Sequence, residues 1–206
     1  MMKTLKKTAI ILAVLVIAGC IPSLHPLYTG DDLVFNPELI GEWYDNDDPE
    51  QTWEFTRDGE NAYNLKHTDF SHVTKELDTG EFTNDTIWFT GKFDIHLIKL
   101  GGNYFMDFYP GNNNQLEINE LLELHLFPVH TFAKVQFMEN EVRIFQVDPD
   151  WIKTVIEEKK IRIKHEMIDD AIILTASTEE LQKFFTKYAE EDRAFIDPIV
   201  LKRLGN

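Results

Sequence analysis

Three groups of residues in this 206-residue chain could do chemistry: the single cysteine, Cys20; the seven histidines; and the carboxylate-dense stretch from Asp45 to Glu50. Histidine pairs bind zinc when both rings reach one face, as in H-E-x-x-H on a helix. His165-Glu166 opens such a pattern, but Asp169 stands where the second histidine is needed. His165 therefore reads as a partly buried strand residue. His125 and His130 are five apart with Pro128 between them. An odd offset on a strand turns two side chains to opposite faces, so this stretch reads as a bend. A calcium loop counted from Asp45 would need glycine at its sixth position and glutamate at its twelfth; the chain has Glu50 and Thr56 there. The stretch reads as a solvated acidic hairpin. No G-x-S-x-G elbow, P-loop or G-x-G-x-x-G is present, and nothing selects a catalytic pair among the 36 acidic residues. The expectation is no catalytic, cofactor-binding or metal-binding residue.

Cys20 is different because of what precedes it. Lys3, Lys6 and Lys7 form a basic start, and an uninterrupted apolar run extends from Ala9 to Gly19. That run is too short to span a bilayer, which takes about 20 apolar residues. A basic region, a short apolar stretch and small residues at its end describe a secretory signal peptide. The ending Ile17-Ala18-Gly19-Cys20 resembles the bacterial lipobox. The resemblance implies diacylglycerol on the Cys20 thiol and cleavage between Gly19 and Cys20, with Ala18 and Gly19 small enough for the peptidase. Two or more acyl chains anchor a protein stably where one holds it only marginally. A lipidated Cys20 leaves no thiol for a disulfide or a nucleophile, so stability must come from an apolar core.

The net charge of −16 becomes more negative still if residues 1–19 are removed, since that piece holds three lysines and no acids. Such a surface repels nucleic acid and anionic head groups. The expected partners are the membrane, through the lipid anchor, and either an apolar small molecule or another envelope protein; nucleic acid is not expected. The expected location is the bacterial cell envelope, at the outer membrane or cell surface.

Three regions follow: a signal peptide over 1–19, the lipidated cysteine and a short Pro-containing tether over 20–37, and one β-rich domain over 38–206. From Leu39 to Val147 apolar residues recur with period two, the signature of half-buried strands. Trp53 and Phe55 alternate up to the hairpin signal Asp58-Gly59, and Tyr63 and Leu65 resume. Ile87-Trp88-Phe89 reads as one β run, and Phe93 to Leu100 as the next. In "NYFMDFYP", Tyr104, Met106 and Phe108 share one face and Phe105 and Tyr109 the other. Apolar rings on both faces predict cover on both sides. Leu122, Leu124 and Leu126 also alternate, a strand pattern. Later the period changes. Asp148-Pro149 predicts a helix start, Ser177 with Glu180 a capping box before a second helix, and "PIVLKRL" a final strand. Ile161, Ile163, His165 and Met167 predict a strand that turns at Asp169-Asp170 and pairs with "AIILT".

The fold expected is mainly β with two helices in the last third: an antiparallel meander that closes into a barrel and so removes its edges. The alternative is an open antiparallel sheet in an α+β arrangement. Gly41-Glu42-Trp43 at the start of the first strand resembles the lipocalins and their calycin relatives. That resemblance implies a lipocalin-like barrel with an Arg near the end of the last strand, here Arg203, packed over Trp43, and an interior cavity for an apolar ligand. The tether "PSLHPLY" and the stretch "NPELIGEW" resemble bacterial lipoproteins with a single β-rich domain. The first expectation is thus an envelope lipoprotein that binds an apolar small molecule or lipid, not an enzyme. An interaction module using the acidic face or the "GNNNQ" loop is the rival, and an enzyme of another type stands third.

Overall fold

The computed structural model describes residues 21–76, 82–111, 120–169 and 171–205. Its strands are β1 (Gly41–Asp45), β2 (Thr52–Asp58), β3 (Ala62–Glu76), β4 (Phe82–Leu100), β5 (Asn103–Pro110), β6 (Thr131–Met138), β7 (Glu141–Gln146), β8 (His165–Ile168), β9 (Ala171–Leu174) and β10 (Ile199–Arg203). Strands β1 to β7 form an antiparallel meander, and β10 pairs with both β7 and β1 to close an eight-stranded barrel. The open-sheet alternative is therefore not the fold. Strands β8 and β9 form a separate hairpin between β7 and β10.

Alternation decides what fills the barrel. Trp43, Trp53, Phe55, Tyr63, Leu65, Ile95, Leu97, Met106, Val135, Ile144 and Leu201 point inward and make one core. A second core lies outside the wall. Ile98, Leu100, Phe105 and Phe132 face outward there and are covered by the strap of residues 21–35 and by two helices. These are α2 (Pro149–Glu157) and α3 (Thr178–Tyr188). On β5, Met106 faces the inner core while Phe105 meets Phe185 of α3, ring centroids 5.6 Å apart. That is why its rings occupy both faces.

Both helices start on local chemistry. Asp148 accepts from the backbone N–H groups of Asp150 and Trp151, with Pro149 in the first turn. Ser177 and Glu180 complete a reciprocal capping box ahead of α3. Each arrangement satisfies amide donors that a helix start otherwise leaves orphaned.

Three elements differ from the sequence expectation. The Leu122–Leu126 alternation is not a strand: a one-turn helix, α1 (Glu120–Glu123), and a loop occupy it, and Leu122, Leu124 and Leu126 are exposed. A strand needs a neighbour, and β5 and β6 already pair directly from Phe108 and Thr131 onward. Second, Ile87–Phe89 and Phe93–Leu100 belong to one strand, β4, which runs on through Gly91. A Cβ at Gly91 would stand 3.0 Å from a ring carbon of Phe93, so glycine lets the aromatic lie back along its own strand. Third, β8 begins only at His165; Ile161 and Ile163 are buried in the outer core ahead of it.

Candidate functional site

The two ends of the barrel are built differently. At the end where β1 starts and β10 finishes, Trp43 and Arg203 are directly paired across the strands. The Arg203 guanidinium lies 4.4 Å from the Trp43 ring centroid. Its Nη1 and Nη2 donate to the carbonyls of Ile40 and Glu38, at 3.1 and 2.5 Å. The Trp43 indole donates to the Leu39 carbonyl at 2.9 Å. Gly41 has φ +130°, and a Cβ there would stand 2.8 Å from Arg203 Nη1, so both its backbone and its missing side chain are required. Above this plug, Tyr63 Oη accepts from the Asn36 amide at 2.6 Å, and its ring stacks on Phe35. This end is closed.

The other end holds a cavity of about 160 Å³ inside the barrel, lined by Trp53, Leu65, His67, Phe93, Phe108, Ala133 and Ile144, with Thr131 and Gln146 adding polar edges. Most of its lining is apolar. Trp53 and His67 are cross-strand partners on β2 and β3, and their rings meet edge to face with centroids 4.8 Å apart. The indole Nε1 of Trp53 and the Nε2 of His67 are buried and have no hydrogen-bond partner among the described residues. Burial pushes the His67 pKa below its ordinary value, against the opposite pull of Asp69 and Asp45. A neutral imidazole carries one donor and one acceptor nitrogen, and an indole only a donor. Polar atoms buried without a partner cost about 1–3 kcal/mol each.

A second polar cluster lies under the strap. Asp107 on the outer face of β5 is fully buried. It accepts from the Leu27 amide at 2.8 Å and pairs with His130 Nδ1 at 2.7 Å. Burial raises the Asp107 pKa, while the His130 and Leu27 hydrogen bonds pull it down. His96 stacks on Tyr28 at 4.1 Å. The nearby Ser23 hydroxyl donates to the His25 carbonyl at 2.8 Å, so it is not presented to an Asp–His pair as a nucleophile would be. The cluster pins the strap to the wall.

The residues singled out in the sequence are dispersed. Gly19 and Cys20 lie outside the described residues, as does most of the "GNNNQ" loop. Gly41, Trp43 and Arg203 meet at the closed end. His125 is exposed in the β5–β6 loop, while His130 turns to Asp107. His165 bonds the Ile163 carbonyl through Nδ1 at 2.8 Å. In the β1–β2 loop Asp45 accepts from the Asp47 amide and Asp48 from the Gln51 side chain. Among the described residues no group of three His, Cys, Asp or Glu side chains is placed to hold a metal ion. Sequence reasoning missed Trp53 and His67 as a pair. The only signal was their shared inward parity, which gains meaning once β2 and β3 are in register.

The fold and site define an eight-stranded antiparallel meander barrel, closed at one end and hollow at the other. Comparisons with protein-family models, curated proteins and solved structures gave no significant match.

Proposed function

We propose that the protein is an envelope lipoprotein, anchored through Cys20, whose lipocalin-like barrel takes the apolar part of a small ligand into its hollow end. The observation that carries this reading is the apolar cavity inside the barrel, walled by Trp53, Phe93, Phe108, Ala133 and Ile144. An apolar engineered cavity of about 150 Å³ holds a benzene ring, so the space here fits one ring or the end of an alkyl chain. The Gly41–Trp43–Arg203 plug supports the calycin comparison, and the lipobox-like Ile17–Cys20 stretch supports the anchor.

Native mass spectrometry of the full chain, extracted from membranes in mild detergent, tests the binding reading. A discrete bound mass, lost on mild activation, is expected. A protein that only ever flies bare, including after incubation with host lipid extract, contradicts it. Anchoring has its own test: Cys20→Ser should leave uncleaved precursor without acyl chains, and normal maturation of that variant would remove the anchor.

A further inference from the structure

We infer that the hollow end of the barrel enters the surface of a zwitterionic lipid bilayer, so that the cavity opens onto the membrane. Orientation rests on the anchoring proposed at Cys20; the apolar rim is an independent observation.

The rim has two parts. Strand β3 pairs with β2 only as far as Thr68, and β4 pairs with β5 only from Phe93. Beyond those points the two strands pair with each other alone, from Asp69↔Phe89 outward. They project past the barrel wall as a two-stranded arm. Its Trp88 is 56 % and its Phe89 54 % exposed, one on each face of the arm. The β5–β6 loop leaves the barrel at the same end, and its Leu124 and Phe127 are 81 % and 74 % exposed. Large apolar side chains left exposed on two segments at one end suit a membrane surface or a partner, and Trp at a bilayer surface places an apolar ring beside a polar N–H.

The path of the chain selects the membrane. Ser23 exchanges both backbone hydrogen bonds with His130, at 2.8 and 2.9 Å, and His130 immediately precedes β6 at the hollow end. Cys20 is three residues upstream, a reach of about 10 Å. An acylated Cys20 would hold this end, and not the Arg203 plug, against the lipid. Charge selects the kind of lipid. The acidic β1–β2 loop, with Asp47, Asp48 and Glu50, sits on the same end, and would be repelled by anionic head groups.

The test uses the full chain, purified from membranes and reconstituted into phosphatidylcholine vesicles whose acyl chains carry bromine, a short-range quencher of tryptophan. Wild type is compared with Trp88→Phe, a conservative change at an exposed site. Bromine is expected to quench the wild-type emission, with at least a third of that quenching lost in Trp88→Phe. Equal quenching of the two proteins, or none in either, overturns the inference and leaves the rim to a second copy or a protein partner. Intact mass reads the anchor separately. Acyl chains on Cys20 without Trp88 quenching sink the inference and spare the anchor. An unmodified Cys20 sinks the anchor, and Trp88 quenching would then still support bilayer entry by the rim, while its absence would overturn it.

Discussion

A Cβ on residue 41 would stand 2.8 Å from Nη1 of Arg203, so the first and last strands of the barrel meet around a glycine at positive φ. The guanidinium is held by the Trp43 ring and by the carbonyls of Glu38 and Ile40 and has little freedom to move aside. Gly41→Ala should therefore cost about 1–3 kcal/mol, from a strained positive φ and a displaced guanidinium. Arg203→Lys keeps the charge but loses the planar fork, and should cost a similar amount. Urea midpoints check both. Ligand occupancy at the far end should not change in either.

Ala133 is 2 % exposed and lines the cavity. Ala133→Leu should fill part of the space and cut ligand occupancy in native mass spectra at least tenfold. Filling an existing void avoids the usual overpacking cost of about 1–3 kcal/mol, so the urea midpoint should stay close to wild type. A large loss of stability would mean that the space is already occupied by side chains.

Acid should destabilise the protein through its inner and outer histidines. Burial depresses the pKa of both His67 and His96 below 6.5. A depressed folded value means stability that is full above 6.5 and lost as pH falls through the folded value. Asp69 and Asp45 oppose this at His67; Asp107, Asp94 and Asp58 oppose it at His96, where His130 adds to it. Asp107 works in the other sense: its pKa is raised above 3.8, so its contribution is full below 3.8 and fades as pH rises through the raised value. Urea midpoints between about pH 8 and about pH 5 should fall more steeply in wild type than in His67→Phe. Parallel curves would show that His67 is not buried in its neutral form.

The strap should depend on Asp107. Asp107→Ala leaves the Leu27 amide and the His130 ring without their buried partner, at a cost of about 1–3 kcal/mol. Hydrogen exchange at Leu27 should speed up well before exchange in the barrel strands. Unchanged protection at Leu27 would assign the strap's hold to Leu27 burial alone.

The strands and both long helices were legible because each obeys a local rule: period two around Trp53–Phe55 and Tyr63–Leu65, a Pro after Asp148, a capping box at Ser177. Leu122–Leu126 obeyed the same period yet is the end of a one-turn helix and a loop, since alternation says nothing about whether a partner strand is free. The continuity of β4 was hidden by Gly91, which reads as a break unless the position of the Phe93 ring is known. The closed-end plug could be named only through the lipocalin resemblance of Gly41-Glu42-Trp43, which implies an Arg such as Arg203 over the indole. The cavity could not. Trp53, His67, Phe108, Ala133 and Ile144 come from five strands, and no spacing reveals which inward residues are too small or too tilted to meet at the centre.

The most direct test of the central claim is a crystal of the full chain, grown in detergent and pressurised with xenon, an apolar probe that enters dry cavities without needing a polar partner. The expected result is a xenon peak inside the barrel between Trp53, Phe108 and Ala133, absent in crystals of Ala133→Leu. No peak in that space, or xenon only in the outer core beneath the strap, would contradict a binding cavity at the hollow end.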